Sequence, residues 1–326
     1  MLNALRSEID SIDEELIDLL IKRLELARRL GVIKREAHLP IIDVEREEEV
    51  ISRWVSRLVG AGVNEELAHE LVNAIIRAST YVQVGDRLNV SVTIVGSGRV
   101  GRTMARVLSR VATVSLIHLG DELGRSDVIM LATRPTNDAV DFVVKNVEAL
   151  RNSILVDLFS VKSVFFRVFE DLSLSHGFHY VSAHPLFGEV GEPVGEGVVL
   201  IPSRSGGEGI NLIRDLFGNA GLSVIILDSP EEHDRLMAYL QVAHHLALLA
   251  LYVLFKRVGV ELRGPLLTHS LRYTVRAMDR VLSQLDVVEE IQRLNPYSRA
   301  VKEEFLNALR LIINAVNKDE LTKVIK

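Results

Sequence analysis

From Leu2 to about His38, apolar residues recur at spacings of three and four, with no proline and only Gly31 as a glycine. This is the period of one amphipathic helix of about 35 residues, roughly 50 Å long. Within a block ending near residue 87, so long a helix cannot bury its own apolar face, which implies an intertwined dimer. Pro40 ends this helix, Asp43 caps a second running to about Val59, and Gly60 to Asn64 turns into a third ending near Val84. At Val90 the pattern changes. A short apolar run to Val95 reads as a buried strand, and a helix to about Arg110 follows. Strands are then expected at Thr113–Ile117 and Asp127–Ala132, a helix to Leu150, and strands at Ile154–Leu158 and His179–Ala183. That alternation predicts a parallel, doubly wound sheet to about residue 228. Ser229 as N-cap, Pro230 at the first helical position, and Glu231 and Glu232 in the first turn open a last helical block.

The chain's 326 residues exceed one ordinary domain, so the pattern divides into an all-α block at 1–87, an α/β block at 88–228 and an all-α block at 229–326. Hydrophobic content of 48% with 25% charged residues is that of a soluble globular protein. The absence of cysteine excludes disulfides, thiolate metal sites and a cysteine nucleophile, and no metal site is expected. Residues 1–87 hold 12 Lys and Arg against 17 Asp and Glu, and the whole chain carries a net charge of -6, which argues against a nucleic-acid partner. Met1 to Asp18 lacks the unbroken apolar core of a signal peptide, so a cytoplasmic location is expected. Leu236 to Phe255 is apolar enough to cross a bilayer. Its soluble-helix start and its Gln241, His244 and His245 instead predict a helix buried in a dimer core.

Chemistry enters first at Val-Gly-Ser-Gly-Arg-Val-Gly, where Gly96, Gly98 and Gly101 follow a strand and open a helix at G-x-G-x-x-G spacing. Gly96 permits a tight turn, Gly98 lets backbone approach a pyrophosphate, and Gly101 lets the helix pack closely. The expected fold is therefore of Rossmann type, with Gly96, Ser97, Gly98, Arg99, Val100 and Gly101 holding a dinucleotide at a helix N-terminus. Ligands in such sheets lie at the carboxyl ends of strands, here marked by Thr133, Ser160 and His184. His118 stands where an acidic residue normally grips the ribose of NAD, with Asp121 three residues on. NAD is favoured and NADP stays open.

In the first block, Leu16, Leu20, Arg23, Ala27, Leu30 and Lys34 form one stripe, which places two cations at interior positions where they need an anion. Arg23 and Lys34 share a face ~16 Å apart, enough to grip a small dianion. Arg6 lies about 100° off that face and suits a neighbouring site. Ser79 and Gln83 continue the apolar row of Val72 and Ile75 and point inward. Spacing alone serves equally a helical dimerisation module with solvated charges. Taken together, Arg6, Arg23, Lys34, Asp43, Arg46, Glu47, Ser79 and Gln83 resemble the all-helical chorismate mutases in order and spacing. The resemblance implies cations on the two carboxylates of chorismate, Lys34 and Gln83 on its ether oxygen, Glu47 on its hydroxyl and Arg6 from the second subunit. The rearrangement needs no cofactor; the protein holds the substrate folded and stabilises charge growing on the ether oxygen.

Ser-Ala-His-Pro-Leu-Phe-Gly (182–188) and Val-Asp-Leu-Phe-Ser-Val-Lys (156–162), downstream of the glycine loop, resemble the paired signatures of prephenate dehydrogenases. The resemblance implies that His184 accepts the proton of the substrate's ring hydroxyl as hydride leaves, and that Ser160 orients it. Leu186 departs from a common methionine, conserving volume. Glu232-His233-Asp234, Ala238 to Gln241 and the tail Ile291 to Pro296 extend the likeness, which brings His245 near the active site and Arg272 to a carboxylate, with Arg276 a competitor. His244, His176 and His179 are read as ordinary residues. The whole implies a bifunctional, homodimeric enzyme of tyrosine biosynthesis taking chorismate to prephenate and on to 4-hydroxyphenylpyruvate. Two alternatives stay open: another dehydrogenase, of arogenate or hydroxy-acid type, with a non-catalytic N-terminal module, and a redox-sensing regulator that binds a dinucleotide without turnover.

Overall fold

The computed structural model describes residues 1–37, 39, 41–188, 191–259, 261–262, 264, 267–318 and 320–326, so the expected break at Pro40 lies outside the described residues. The chain divides into two compact units, one of residues 1–159 and 169–226, the other of residues 160–168 and 227–326.

In the first unit, α1 spans Leu2–Glu36, the 35 residues that the uninterrupted helical period predicts. α2 (Val44–Gly60) is capped by Asp43, whose carboxylate accepts from the Arg46 N–H at 3.1 Å. α3 (Glu65–Tyr81) starts under Asn64, whose Oδ1 accepts from the N–H groups of Glu66 and Leu67. The helix ends three residues before the expected Val84. α1 and α3 meet where α1 has least bulk: Ala27 is buried, and a Cβ on Gly31 would stand 2.9 Å from the Cα of Gln83. Of the stripe read as interior, Leu16, Leu20 and Leu30 are exposed in the single chain, because three helices close over only part of so long a face. After α3 the backbone is tied down residue by residue. Val84 packs against the core of the following sheet, and the Gly85 N–H donates to Asn219 O at 2.8 Å. A Cβ on Gly85 would lie 2.7 Å from Asn219 Oδ1.

The sheet that follows runs β2-β1-β3-β4-β5-β6-β7. Its strands are β1 (Ser91–Val95), β2 (Thr113–Ile117), β3 (Val128–Leu131), β4 (Ile154–Asp157), β5 (His179–Pro185), β6 (Gly197–Pro202) and β7 (Ser223–Ile226). They alternate with α4 (Arg99–Leu108), α5 (Asn137–Lys145), α6 (Val147–Leu150), α7 (Phe166–His176) and α8 (Gly209–Asn219). The apolar residues of β1, β3, β4, β5 and β6 join Met104, Val107 and Leu108 of α4 and Ile213, Leu216 and Phe217 of α8 in one core. Central strands buried on both faces explain the near-continuous apolar runs. The sheet departs from the expected all-parallel order at one place, since β6 runs antiparallel to β5.

The second unit is helical: α9 (Pro230–Met237), a π-helical turn over Ala238–Ala243, α10 (His244–Val258), α11 (His269–Leu282), α12 (Leu285–Leu294), α13 (Ser298–Asn317) and α14 (Leu321–Ile325). Ser229 caps α9 as its sequence predicts, accepting from the Glu232 N–H at 3.1 Å. Gly259, at φ 67°, ends α10 in the left-handed conformation that suits glycine. Leu248, Val275, Met278, Val281 and Val288 make one small core. Val161, Val242 and Ile291 make another, which joins the 160–168 segment, the π turn and α12. Among the described residues, Pro230–Val258 is long and apolar enough by composition to cross a membrane.

Candidate functional sites

The first site forms between α1, α2 and α3. Arg23 is half-buried and its guanidinium donates to Ser79 Oγ, while burial lowers its pKa. Ser79 in turn donates to Ile75 O at 2.8 Å, and Gln83 Nε2 donates to Ser79 O at 3.1 Å. Ser79 and Gln83 are both buried, as their place in an apolar row demands. Lys34 Nζ donates to Ile41 O at 2.6 Å, so the cation read as half of a dianion grip also holds the segment leading into α2. Glu47 lies in the first turn of α2. Burial raises its pKa, Lys34 opposes that, and Asp43 adds to it. Arg46 is exposed and turned to Glu49, 2.5 Å away, and Arg6 is exposed on α1. The structure thus brings Arg23, Ser79 and Gln83 into hydrogen-bond contact and places Lys34, Asp43 and Glu47 within one electrostatic neighbourhood. Within a single chain, Arg6 and Arg46 stand apart from that contact.

The second site is the crevice where strand order reverses, with β1 between β2 and β3. Gly96, at φ 116°, turns so tightly that a Cβ there would meet Ala132 O at 2.5 Å, and a Cβ on Gly101 would meet Gly96 O at 1.8 Å. Gly98 is the opposite case. It caps α4 with nothing within 4 Å of where its Cβ would be. The loop therefore excludes side chains on its packed side and leaves open space on the side facing the helix N-terminus, an arrangement that fits a pyrophosphate. Ser97 and Arg99 flank that space, Val100 packs on the sheet core, and Thr133 follows β3. His118 follows β2, where its Nδ1 lies 3.2 Å from Ser97 Oγ and its backbone N–H donates to Asp121 Oδ2 at 2.7 Å. Asp121, the nearest carboxylate to the ribose position by sequence, is thus already engaged.

His184 does not follow its strand as expected. It lies inside β5, opposite Val199 of β6, because the antiparallel partner extends the ladder to Pro185. Alternation puts Tyr180, Ser182 and His184 on one face of β5, and all three are buried. Tyr180 donates to Asp157 Oδ2 at 2.7 Å, and the other oxygen of Asp157 accepts from the Phe159 N–H. Burial, then the Asp157 charge, pushes the Tyr180 pKa well up. The sequence reading missed this pair. Its signal was an acid inside the otherwise apolar strand run that ends at Leu158.

Ser160, His245 and Arg272 fall in the second unit. The turn after Ser160 is held by Asp234, which accepts from the N–H groups of Lys162 at 2.9 Å and Ser163 at 2.8 Å and from His233 at 2.8 Å. Burial works to raise the Asp234 pKa, but these hydrogen bonds hold it below the usual carboxylate value. His245 is half-buried with its Nδ1 sealed and without a partner among the described residues, and burial, reinforced by His244, lowers its pKa to about 4. Arg272 is exposed on α11, while Arg276 stacks on the Tyr273 ring at 5.7 Å.

Residues 5–84 match the family model described as chorismate mutase type II. The T-protein of Enterobacter agglomerans is 29% identical over 263 residues, covering 76% of this chain and 69% of its own. A probable arogenate/prephenate dehydrogenase of Methanocaldococcus jannaschii is 26% identical over 204 residues, covering 60% of this chain and 45% of its own. The fold is similar to that of prephenate dehydrogenase from A. aeolicus in complex with hydroxyphenyl propionate and NAD+, with TM-score 0.55 at 18% identity over 73% of this chain and 95% of that one. The chain therefore joins a helical chorismate mutase domain to a dinucleotide-binding dehydrogenase fold with a helical C-terminal part. The chain is thus similar to the T-proteins along three quarters of its length, with the chorismate mutase match in its N-terminal part and the fold of prephenate dehydrogenases after it.

Proposed function

We propose that the first site rearranges chorismate to prephenate and that the sheet and C-terminal helices carry its NAD-dependent oxidative decarboxylation to 4-hydroxyphenylpyruvate. One observation carries the reading most: an Arg-Ser-Gln contact, buried at Ser79 and Gln83 and half-buried at Arg23, stands in the same chain as a glycine cradle at the switch point of a dinucleotide fold. In the mutase half, Arg23, with Arg46 and with Arg6 from a second copy, binds the carboxylates of chorismate. Lys34 and Gln83 donate to the ether oxygen, and Ser79 fixes Arg23. Glu47 accepts from the substrate hydroxyl, and Asp43 holds the first turn of α2. Nothing is bonded to the enzyme; the gain comes from holding the folded conformer and from donors already in place when charge builds on the oxygen.

In the dehydrogenase half, residues 96–101, His118 and Thr133 would hold the dinucleotide, which supplies a hydride acceptor. His184 takes the proton of the ring hydroxyl, Ser160 orients that hydroxyl, and His245 and Arg272 bind the rest of prephenate. Release of carbon dioxide leaves its bonding electrons to an aromatic ring, which drives the step. The engagement of Asp121 by His118 leaves NADP admissible beside NAD. The long exposed apolar row of α1, including Leu5, Ile9, Ile12 and Leu16, supports a homodimer, and the location proposed is cytoplasmic.

The test is to follow chorismate loss and reduced nicotinamide with the purified protein. Chorismate should disappear without nucleotide, and reduction should begin on adding NAD. Reduction with a hydroxy acid and none with prephenate would replace this reading by the hydroxy-acid one.

A further inference from the structure

The helix running from α9 into α10 is interrupted by the π turn over Ala238–Ala243. A π turn is less stable than the α-helix around it and persists where something outside the helix holds it. Here the holder is visible. Gln292 of α12 donates from Nε2 to the carbonyl of Val242 at 2.9 Å, so a side chain from another helix takes part in the hydrogen bonding of the turn. The preceding residue of α12, Ile291, packs on Val242 itself together with Val161, the neighbour of Ser160. Three residues on, Asn295 Nδ2 donates to Asp234 O at 2.8 Å in α9. α12 therefore grips the interrupted helix on both sides, once before the turn and once within it. The Gln292 backbone is itself fixed, since its main-chain carbonyl accepts from Ser298 Oγ at 2.7 Å.

The held turn presents a specific pair. Gln241 within it and His245 one turn later each bury a polar atom, Oε1 and Nδ1, that no group among the described residues satisfies. Buried polar atoms without partners are costly in a finished core and are understood where a ligand completes them. We infer that Gln292 is a positioning residue for the dehydrogenase: by capturing the Val242 carbonyl it holds the π turn in the register that aims Gln241 and His245 together. This rests on the assignment of His245 to the dehydrogenase site. An unbroken α-helix through Ala238–Ala243 would advance His245 by about 100° relative to α9, since one residue of a helix subtends that angle.

The test replaces Gln292 by Met, which keeps length and volume and removes the donor, and by Glu, which keeps the shape and donates only when protonated. Each variant is compared with the full-length parent in both activities, in thermal melting, and in the imidazole NMR signals of His245 identified by their loss in His245→Asn. For Gln292→Met the expected result is a fall of tenfold or more in dehydrogenase kcat, a shifted His245 signal and unchanged mutase turnover. Gln292→Glu should recover part of the loss as pH is lowered toward 5. A lowered melting temperature with parental kcat and parental His245 signals in both variants would reduce Gln292 to packing and overturn the proposal. Failure of the underlying reading is distinguishable: the parent would then not oxidise prephenate, while the His245 signals would still report whether Gln292 sets the turn. If Gln292→Met does not fold, Gln292→Glu at pH 5 and pH 8 decides the question alone, and a kcat relative to the parent and a His245 environment relative to the parent that are the same at the two pH values would overturn it.

Discussion

Gly98 and Gly101 stand three residues apart in one loop, yet the structure assigns alanine substitutions at the two positions opposite effects. At Gly101 an added Cβ would sit 1.8 Å from Gly96 O and 3.2 Å from the Ala132 Cβ. The first neighbour is backbone in a turn that is itself pinned by the Gly96 N–H donating to Ile117 O at 2.8 Å, so no flexible side chain can yield. The helix start must move by more than an ångström. Forced shifts of this kind cost about 1–3 kcal/mol, and the better helix propensity of alanine returns about 0.5–1. A net loss of about 1–2 kcal/mol should lower the melting temperature by roughly 2–8 °C. At Gly98 the φ of -67° suits any residue and nothing lies within 4 Å, so Gly98→Ala should melt with the parent or slightly above it. Its methyl instead enters the space assigned to the pyrophosphate. NAD affinity, read by fluorescence titration, should fall tenfold or more in both variants, while melting falls only in Gly101→Ala. Equal destabilisation by the two substitutions, or parental affinity in Gly98→Ala, would refute the steric account of the loop.

Arg23→Ala removes the donor to Ser79 and the carboxylate clamp together, so mutase turnover should fall roughly 10²-fold or more while prephenate oxidation stays near parental; equal loss of both in folded protein would count against two sites. Gln83→Glu should confine mutase activity to low pH, because an ionised carboxylate cannot donate to an ether oxygen; a pH profile parallel to the parent from about pH 4.5 to 8 would remove Gln83 from that role. His245 titrates near 4 in the folded chain against about 6.5 when unfolded, so between those values the unfolded state binds more protons and folding is weakened as pH falls. The shift would correspond to about 3 kcal/mol for a fully buried group, and solvent screening of this half-buried one reduces it to roughly 1–2. Acidification from pH 7 to 4.5 should therefore destabilise His245→Asn less than the parent in denaturant titrations, and identical losses would contradict the assignment.

Periodic and capping signals were legible because each is complete within a few residues. The helix from Leu2, the caps at Asp43 and Ser229 and the strand-glycine-helix start are local patterns that the structure repeats. What the pattern could not reveal depends on partners far along the chain. The antiparallel β6 draws His184 into a ladder, since a strand's end is set by its neighbour's length as much as by its own residues. Ser160 reads as the end of a strand in the sheet, yet its segment is fastened to α9 by Asp234, more than 70 residues on. The π turn is invisible to a 3.6-residue period, and the groups that contact it, Gln292 and Ile291 among them, stand on another helix. In the mutase site the inward face of Ser79 and Gln83 was legible from apolar spacing, whereas the capture of Lys34 by a backbone carbonyl of the loop was not.

The passage from α3 to β1 gives the two chemistries a common mounting. Gln83 is wedged against Gly31 and Ser79, Val84 against the sheet core, and Gly85 against Asn219. Three consecutive residues are thus committed, the first to the helices before the joint and the next two to the sheet after it. A joint without slack transmits displacement, so any tilt of α8 reaches the amide of Gln83 within two peptide units. A flexible linker would decouple the mutase from the sheet, whereas here the connecting residues are packed and hydrogen-bonded from the first. Inserting a few glycines between Gln83 and Asp86 would therefore change the mutase even though no mutase residue had been touched.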